Sequence, residues 1–274
     1  MKTKLFLLII FLECSGIPST NKICTDWYRI PWNTGSDCMY GDKHISVPIM
    51  HDDWVIVKCR INNEESRCLI DTGAPSTWVF NEIIGTNENN KFSKIDELQI
   101  GKVLWKNVYV ISMKNYFVGP NGVSAIIGMD LLEDHSISIN YMETFEFHVG
   151  DYKACDATDY KYLSINNRIW LEMLVGDVSG FVLFDTGSTH PMIDTYIMSQ
   201  GVDIVGDVYN ANIKVWNTDV KGIIATIPLL CVAGLCRQNV EIAGPYKFSA
   251  VGMSFFHDKK LEVDFKKEII RICD

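Results

Sequence analysis

The feature that most constrains this 274-residue chain is a short motif that occurs twice: an apolar run that ends in Asp-Thr-Gly. The first copy is Leu-Ile-Asp-Thr-Gly-Ala at residues 69–74, and the second is Leu-Phe-Asp-Thr-Gly-Ser at residues 183–188. The two aspartates, Asp71 and Asp185, are separated by 114 positions (185 minus 71). One such tripeptide is typical of a turn after a strand, with glycine supplying the positive φ angle. Two copies in the same context predict two related units of roughly 100 residues each.

Both copies place an ionisable side chain at the end of a buried apolar strand. Such a position costs free energy unless the carboxylate is hydrogen-bonded. Because the arrangement occurs twice, we expect the carboxylates of Asp71 and Asp185 to meet. Two carboxyl groups a few ångströms apart cannot both ionise easily, so they share one proton. The ionised group can then activate a water molecule while the protonated group acts as an acid. Which aspartate holds the proton is a property of the pair, and the sequence leaves it open.

Further motifs accompany the repeat. Residues 125–132, Ala-Ile-Ile-Gly-Met-Asp-Leu-Leu, are similar to the apolar-apolar-Gly segment that follows the flap in retropepsins. Residues 250–256 and 261–265 resemble the C-terminal lobe of pepsins, and Trp78 stands where pepsins carry a tryptophan after their first motif. From about Ile45 to its C-terminus, the chain therefore resembles a two-lobed aspartic peptidase of the pepsin and retropepsin superfamily, with short, retropepsin-sized lobes.

This resemblance implies an all-β, bilobal fold with two β-barrel-like lobes, a cleft between them and few short helices. The implied division is a signal peptide at 1–16, an N-terminal extension or short pro-segment at 17–44, lobes at 45–149 and 160–274, and a linker at 150–159. It also implies an aspartic endopeptidase whose catalytic dyad is Asp71 and Asp185. The residues expected to support the dyad are Thr72, Gly73, Thr186, Gly187 and Ser188.

Each supporting residue type has a physical role. The threonines would tie the two loops together, and the glycines would leave backbone N–H groups close to each carboxylate. Ser188 can donate a hydrogen bond to Asp185, whereas Ala74 cannot do so for Asp71. Hydrogen bonds to the charged form lower the pKa of a carboxyl group. From this difference we expect a mildly acidic pH optimum for the enzyme.

Apolar and alternating runs separated by turn residues predict short strands along the whole chain. The expected first-lobe strands are 54–61 with 68–70, 97–101 with 103–112, and 136–147; those of the second lobe are 169–175 with 181–184, 213–216, 223–230 and 240–242. A short helix is expected within residues 191–200, ended by Gly201, with other candidates after Gly128 and Gly252.

The N-terminus and the cysteines predict a secreted or secretory-pathway protein. Lys2 and Lys4 precede an apolar run at residues 5–12, the pattern of a signal peptide and too short to span a bilayer. Beyond Cys14, eight cysteines remain, an even number typical of disulfides behind a signal peptide. The expected pairs are Cys231–Cys236 across a short loop and Cys59–Cys68 across a hairpin, with Cys24–Cys38 and Cys155–Cys273 assigned by elimination.

Other function classes find no support in the residues. The formal net charge of −9 argues against a nucleic-acid partner. The chain has no Cys-x-x-Cys, His-Glu-x-x-His, Gly-x-Ser-x-Gly or phosphate-binding glycine loop, so we expect no metal and no cofactor. The expected partner is a peptide or protein substrate. Because both motifs lie on one chain, a monomer suffices, and no stable membrane insertion is expected.

Two alternatives stay open at this level. A catalytically silent relative could bind a peptide or protein in its interlobe cleft, and a processing enzyme with one specific substrate would share the chemistry. No Tyr-Gly pair of the kind that pepsins carry on the flap follows Asp71, and Trp105, Tyr109 and Tyr116 are candidates either to cover the cleft or to lie in the core or rim. His190 is interpreted as a rim residue rather than a third titrating group.

Overall fold

A computed structural model describes residues 38–40, 44–50, 54–86, 92–114, 122–141, 143–149, 152–215 and 218–274. Strands make up most of the described part and helices are few and short, which confirms the all-β prediction. In chain order the strands are β1 (Cys38–Tyr40), β2 (His44–Pro48), β3 (Ile56–Ile61), β4 (Glu64–Ile70), β5 (Trp78–Phe80), β6 (Phe92–Ile100), β7 (Val103–Met113), β8 (Ala125–Ile127), β9 (Ser136–Asn140), β10 (Thr144–His148), β11 (Tyr160–Lys161), β12 (Leu163–Ser164), β13 (Ile169–Val175), β14 (Val178–Phe184), β15 (Met192–Asp194), β16 (Val205–Val215), β17 (Thr218–Val232), β18 (Leu235–Tyr246), β19 (Ala250–Val251), β20 (Lys260–Asp264) and β21 (Ile269–Cys273). The described helices are α1 (Asn81–Ile84), α2 (Met129–Leu132), α3 (Thr195–Ser199) and a 3-10 helix (Met253–Phe256).

Two six-stranded rings follow the same plan. The N-terminal ring closes in the order β7-β5-β8-β4-β3-β6, with β6 paired back to β7 and β1 added to β7. The C-terminal ring closes in the order β18-β15-β19-β14-β13-β17, with β17 paired back to β18 and with β12 and β16 added outside it. Each ring contains one parallel pair that holds the Asp-Thr-Gly strand, β4 with β8 and β14 with β19. The sequence repeat is therefore matched by an equivalent order of strand pairing.

The strand that leads to Asp71 ends in residues that pack into the apolar core. Cys68, Leu69 and Ile70 at the end of β4 are fully buried. The hairpin β3–β4 turns at Asn62 and Asn63, which both have positive φ angles as required in a tight two-residue turn. The apolar run thus fixes Asp71 at the point where the strand leaves the ring.

A third sheet joins the two halves of the chain. Its order is β11-β21-β20-β9-β10-β2, and β9 pairs antiparallel with β20, with Ile139 opposite Leu261. One face carries the apolar side chains of its strands, and burying each of them fully contributes about 1.5–3 kcal/mol. The other face holds ionisable groups, including Glu262, which is only 2% exposed and accepts a 3.0 Å hydrogen bond from the Cys155 N–H. Since strands from both halves share this sheet, it fixes the position of one half against the other.

Several strand and helix boundaries differ from those that the sequence predicted. The single strand expected at 136–147 is the hairpin β9–β10, which turns after Asn140. The short strands expected at 213–216, 223–230 and 240–242 are parts of the long strands β16, β17 and β18. Most of β16 is exposed, so the strand is stabilised by its pairing with β17 rather than by burial. Its sequence therefore has no apolar periodicity from which its length could be predicted.

The helix expected within 191–200 starts later, because the chain first forms strand β15. Asp194 caps α3 by accepting a 2.9 Å hydrogen bond from the Ile197 N–H, and Gly201 follows the helix with a φ angle of 81°. The two other expected helices are present directly after Gly128 and Gly252.

Three of the four predicted disulfides are confirmed. They are Cys59–Cys68, Cys155–Cys273 and Cys231–Cys236. The fourth prediction involves Cys24, which lies outside the described residues, as do the predicted signal peptide and most of the N-terminal extension. None of the helices in the described part of the chain has the length and apolar character needed to cross a membrane.

A histidine in the core makes stability depend on pH. His135 is 3% exposed, and its ring lies 5.7 Å from that of Trp105 and 5.4 Å from that of Phe147. Burial lowers the pKa of His135 from 6.5 to about 4. The unfolded chain binds this proton more readily than the folded chain does. The neutral His135 therefore costs no stability above pH 6.5, and the free energy of unfolding decreases as the pH falls towards 4.

We predict that His135 lowers the free energy of unfolding by about 3 kcal/mol between pH 7 and pH 4. Urea unfolding should therefore show the wild type losing that much more stability over this range than His135→Leu does. His257→Gln, at an exposed histidine, serves as the control and should keep the wild-type dependence. Equal pH dependence in wild type and His135→Leu would contradict this assignment.

Candidate active site

Asp71 and Asp185 begin the loops that follow β4 and β14, and their backbones are held in the same way. The Asp71 N–H donates a 3.0 Å hydrogen bond to the carbonyl of Ile127, and the Asp185 N–H donates one of 3.0 Å to that of Val251. In each case the acceptor ends the strand parallel to the aspartate's own strand. The two carboxylates therefore project from equivalent sites in the two rings.

The loop glycines and their neighbours supply N–H groups to the carboxylates. Asp71 Oδ1 accepts hydrogen bonds from the N–H groups of Gly73 at 2.8 Å and Ala74 at 3.0 Å. Asp185 Oδ1 accepts one from the Gly187 N–H at 2.9 Å. These bonds favour the charged form of each carboxyl group.

The expectation that the Ser188 hydroxyl donates to Asp185 is wrong. That hydroxyl lies 3.0 Å from the carbonyl oxygen of His190 and donates to it instead. Ser188 acts on Asp185 through its backbone N–H, as Ala74 does on Asp71. The Ser188 hydroxyl therefore does not distinguish the environment of Asp185 from that of Asp71.

The two threonines cross-link the loops. Thr72 Oγ1 donates to the carbonyl of Phe184 at 2.7 Å and accepts from the Thr186 N–H at 3.2 Å. Thr186 Oγ1 donates to the carbonyl of Ile70 at 2.7 Å and accepts from the Thr72 N–H at 3.0 Å. Both threonines are fully buried, so each hydroxyl satisfies backbone groups that no water reaches. Each loop is therefore completed by the other.

The carboxylates lie against the glycine of the opposite loop. A Cβ atom added to Gly73 would stand 2.5 Å from Asp185 Cγ, and one added to Gly187 would stand 2.6 Å from Asp71 Oδ2. Real Cβ atoms do not approach other atoms so closely, so only glycine fits at these two positions. The two aspartates accordingly form one site, in which each carboxylate packs against the glycine of the opposite loop.

This proximity changes the acidity of both groups. Burial, and next the charge of Asp185 and the hydrogen bond with it, raise the pKa of Asp71 well above its usual range. Burial also raises the pKa of Asp185, whereas the hydrogen bond from Asp71, the Gly187 N–H and the charge of Arg168 lower it. The pair therefore retains a proton at a pH where isolated aspartates are ionised.

Three residues at the site were missed by the sequence analysis. The Trp54 indole Nε1–H donates to the carbonyl of Gly187 at 3.1 Å, and Arg168 Nε–H donates to the carbonyl of Gly73 at 2.8 Å. Asn167, beside Arg168, donates to the carbonyl of Pro75 at 3.0 Å. A signal was present: Trp54 and Arg168 each precede their aspartate by 17 positions (71 minus 54, and 185 minus 168).

The other residues that the sequence suggested for the cleft or its rim do not contact the aspartate pair in the described part of the chain. Trp105 is a core residue with 1% exposure, whereas Tyr109 is 38% exposed. Trp78 is half-buried and packs against a small cluster that includes Ala74. His190 is exposed, 3.9 Å from Glu241, and takes no part in the pair. Tyr116 lies outside the described residues.

Side chains with metal-ligating atoms cluster at two other places among the described residues. One cluster is the disulfide pair Cys155 and Cys273 with Glu262, whose sulfur atoms are already bonded to each other. The second cluster is formed by His44, Glu146 and His148 on the sheet that joins the two halves.

The histidine cluster is already internally paired. Lys260 Nζ lies 3.4 Å from Glu146 Oε2, and the Ser138 hydroxyl lies 2.7 Å from His148 Nε2. We therefore describe this cluster as an ion-paired, hydrogen-bonded network, which shares no residue with the aspartate pair. A search against family models and a search of curated proteins find no match for the chain.

The threonine cross-links predict a specific stability difference. Thr72→Val keeps the shape of the side chain but leaves the Phe184 carbonyl and the Thr186 N–H without their partner. Because an unsatisfied buried group costs about 1–3 kcal/mol, we expect a loss of about 2–4 kcal/mol in the free energy of unfolding. Thr72→Ser retains the hydroxyl and should lose about 1 kcal/mol, the effect of one methyl group. Equal losses in the two variants, measured by urea unfolding at pH 7, would contradict the hydrogen-bonding role.

Proposed function

We propose that this protein is a secreted, monomeric aspartic endopeptidase of the two-lobed, pepsin-like kind. In this proposal the two rings are the cores of the lobes, and the substrate peptide lies in a cleft at Asp71 and Asp185. The observation that carries the proposal is the aspartate pair itself. Two carboxyl groups on equivalent loops each lie against the glycine of the opposite loop, and burial together with the charge of Asp185 raises the pKa of Asp71. Three disulfides accord with an oxidising, secretory environment.

The geometry suits hydrolysis of an amide. A water molecule between the carboxyl groups loses a proton to the ionised aspartate as its oxygen attacks the scissile carbonyl carbon. The protonated aspartate gives its proton to the carbonyl oxygen, which forms a neutral gem-diol. The first aspartate then protonates the leaving nitrogen and the C–N bond breaks, while the second recovers a proton from the gem-diol. The pair ends as it began, with one proton shared.

The presence of two buried carboxyl groups at one site favours a catalytic role over peptide binding alone. A binding module has no need of two carboxyl groups held in mutual repulsion, since their burial costs free energy without improving contact with a peptide. The glycine N–H groups hold the carboxylates, and the threonine cross-links hold the loops that carry them. A catalytically silent, peptide-binding protein remains the alternative that the experiment below separates.

The proposal predicts that both aspartates are required for peptide cleavage. Asp71→Asn and Asp185→Asn should each reduce cleavage of a denatured protein substrate by about 10³-fold or more, because each variant removes one proton-transfer group. Asp177→Asn, at an exposed position in the turn before β14, is the matched control and should retain wild-type activity. A statine-type transition-state mimic should inhibit the wild type.

The outcomes of this experiment are distinct. Cleavage that survives in either Asn variant would refute the dyad. A folded wild-type protein that cleaves nothing from pH 3 to pH 7, either intact or without residues 17–37, which precede β1, would refute the peptidase proposal. Peptide binding by that inactive protein would then establish the silent alternative.

The second prediction concerns pH. Because burial and the charge of Asp185 raise the pKa of Asp71, the pair stays singly protonated into mildly acidic conditions. Activity should decline at higher pH as the pair loses its shared proton and at lower pH as the pair gains a second one. We therefore expect kcat/KM to peak in mildly acidic conditions. A peak below about 3, near the lower range of aspartic-peptidase pKa values, would contradict this expectation.

A further inference from the structure

The sheet that joins the two halves of the chain carries a cluster of three side chains with metal-ligating atoms. His44 on β2 and His148 on β10 are register partners, and Glu146 lies two positions before His148 on the same strand. Because side chains alternate between the two faces of a strand, residues two apart share a face. Strand pairing thus places two imidazoles and one carboxylate side by side on one face of the sheet. Their ligand atoms all lie within 4.8 Å of one another.

The distances within this cluster are close to those between the ligands of a tetrahedral metal ion. Nε2 of His44 lies 3.5 Å from Oε2 of Glu146, and Nε2 of His148 lies 3.7 Å from the same oxygen. Both distances exceed the usual range of about 2.7–3.2 Å for an N–H···O hydrogen bond. Zinc binds imidazole nitrogen at about 2.0–2.1 Å, so two ligands of a tetrahedral zinc ion are about 3.4 Å apart. The two nitrogens therefore converge on the carboxylate oxygen at nearly the separation that an ion between them requires.

The surroundings orient the cluster and leave it open on one side. His148 is buried, and its ring stacks on that of Tyr152 with the centroids 4.2 Å apart. The ring of His44 is parallel to that of His148 at 5.1 Å, and the His44 side chain is 57% exposed. An ion can therefore enter from the His44 side, where water can take a fourth coordination position.

Two neighbours compete with an ion for these ligands. Nζ of Lys260 lies 3.4 Å from Oε2 of Glu146 and 3.5 Å from Oε1 of Glu262. The Ser138 hydroxyl lies 2.7 Å from Nε2 of His148. The lysine can turn towards solvent on its flexible stem, and the serine hydroxyl can rotate to another staggered position. The network around Glu146 thus already contains one positive charge that a metal ion can replace.

We propose that His44, Glu146 and His148 bind a divalent transition-metal ion, with zinc as the best fit, and that the ion displaces Lys260 from Glu146. Zinc accepts imidazole nitrogen and carboxylate oxygen together, whereas calcium and magnesium are bound mainly by oxygen. The bound ion fastens the edge strand β2 to β10. No local motif in the sequence reveals this site, because His44 and Glu146 are 102 positions apart (146 minus 44).

The test measures metal binding to the full chain, produced without a polyhistidine tag. Zinc binding is followed by calorimetric titration at pH 7, and the visible absorption of bound cobalt(II) reports a tetrahedral site that zinc then displaces. His44→Ala removes an exposed ligand, and Glu146→Gln removes the charge while keeping the shape. His190→Ala is the matched control, because His190 is also exposed and lies 3.9 Å from Glu241 but belongs to no cluster of three ligands among the described residues. Far-UV circular dichroism checks that each variant is folded.

We expect one high-affinity zinc site per chain in the wild type. His44→Ala and Glu146→Gln should each weaken zinc binding by about 100-fold, because even a change to an outer partner of a ligand costs about 10–100-fold. His190→Ala should bind zinc as the wild type does. Lys260→Met removes the competing ammonium group and should bind zinc more tightly. Zinc should raise the unfolding temperature of the wild type but not that of His44→Ala, since only a bound ion stabilises the folded chain.

Three results would overturn the proposal. The first is a wild-type protein that takes up neither zinc nor cobalt when the metal is in excess. The second is metal binding that is unchanged in His44→Ala and Glu146→Gln, and the third is an equal loss in His190→Ala. A Lys260→Met protein that binds zinc no more tightly than the wild type would contradict the displacement of the lysine. Asp71→Asn should bind zinc as the wild type does, so the metal site stands or falls independently of the proposed peptidase function.

Discussion

The repulsion between two buried carboxyl groups is the constraint on which the rest of this structure depends. Left free, the loops that carry Asp71 and Asp185 would separate until both groups ionised in water. They are held together by four buried hydrogen bonds at 2.7–3.2 Å: two join the threonines to each other, and two join each threonine to the last carbonyl of the opposite strand. Because both loops take part in every bond, neither threonine can be satisfied unless the two aspartates meet. The favourable contacts and the unfavourable pair therefore form as one unit.

That unit needs a stiff frame, and the repeated ring supplies it. Each aspartate N–H is bonded to the end of a parallel neighbour strand, and each loop packs on a glycine, Gly128 or Gly252, that has no room for a side chain. The shared sheet then fixes the two rings against each other through its buried apolar face. A displacement of about one ångström between the halves would stretch the threonine bonds beyond hydrogen-bonding distance, so the positions of the aspartates depend on burial far from them.

Comparison of sequence and structure shows which features local pattern can encode. The repeat predicted the aspartates, threonines and glycines because each acts within or between two identical tripeptides. Ser188 was misassigned because its hydroxyl had two acceptors within reach, and the His190 carbonyl, rather than the carboxylate, receives its proton. Arg168 and Trp54 were missed because equivalent positions hold unlike residues, which a search for identical motifs does not find. The length of β16 was missed because an exposed strand, stabilised by pairing, carries no apolar period.

Those unlike residues have a further significance, because a symmetric frame alone cannot give two carboxyl groups opposite roles. If the two halves were identical around the pair, the proton would be shared equally and either aspartate could act as base. An unequal division must come from positions where the halves differ. At the position after each glycine, Ala74 and Ser188 differ, but both act on their aspartate through the backbone N–H. At the position 17 residues before each aspartate (71 minus 54, and 185 minus 168), the difference is a full charge on one side. A charge acts over several ångströms in a site of low dielectric constant, whereas a neutral donor acts only on the atom that it touches. The repeated scaffold thus brings the carboxyl groups together, and any inequality between them must arise at the positions where its two copies differ.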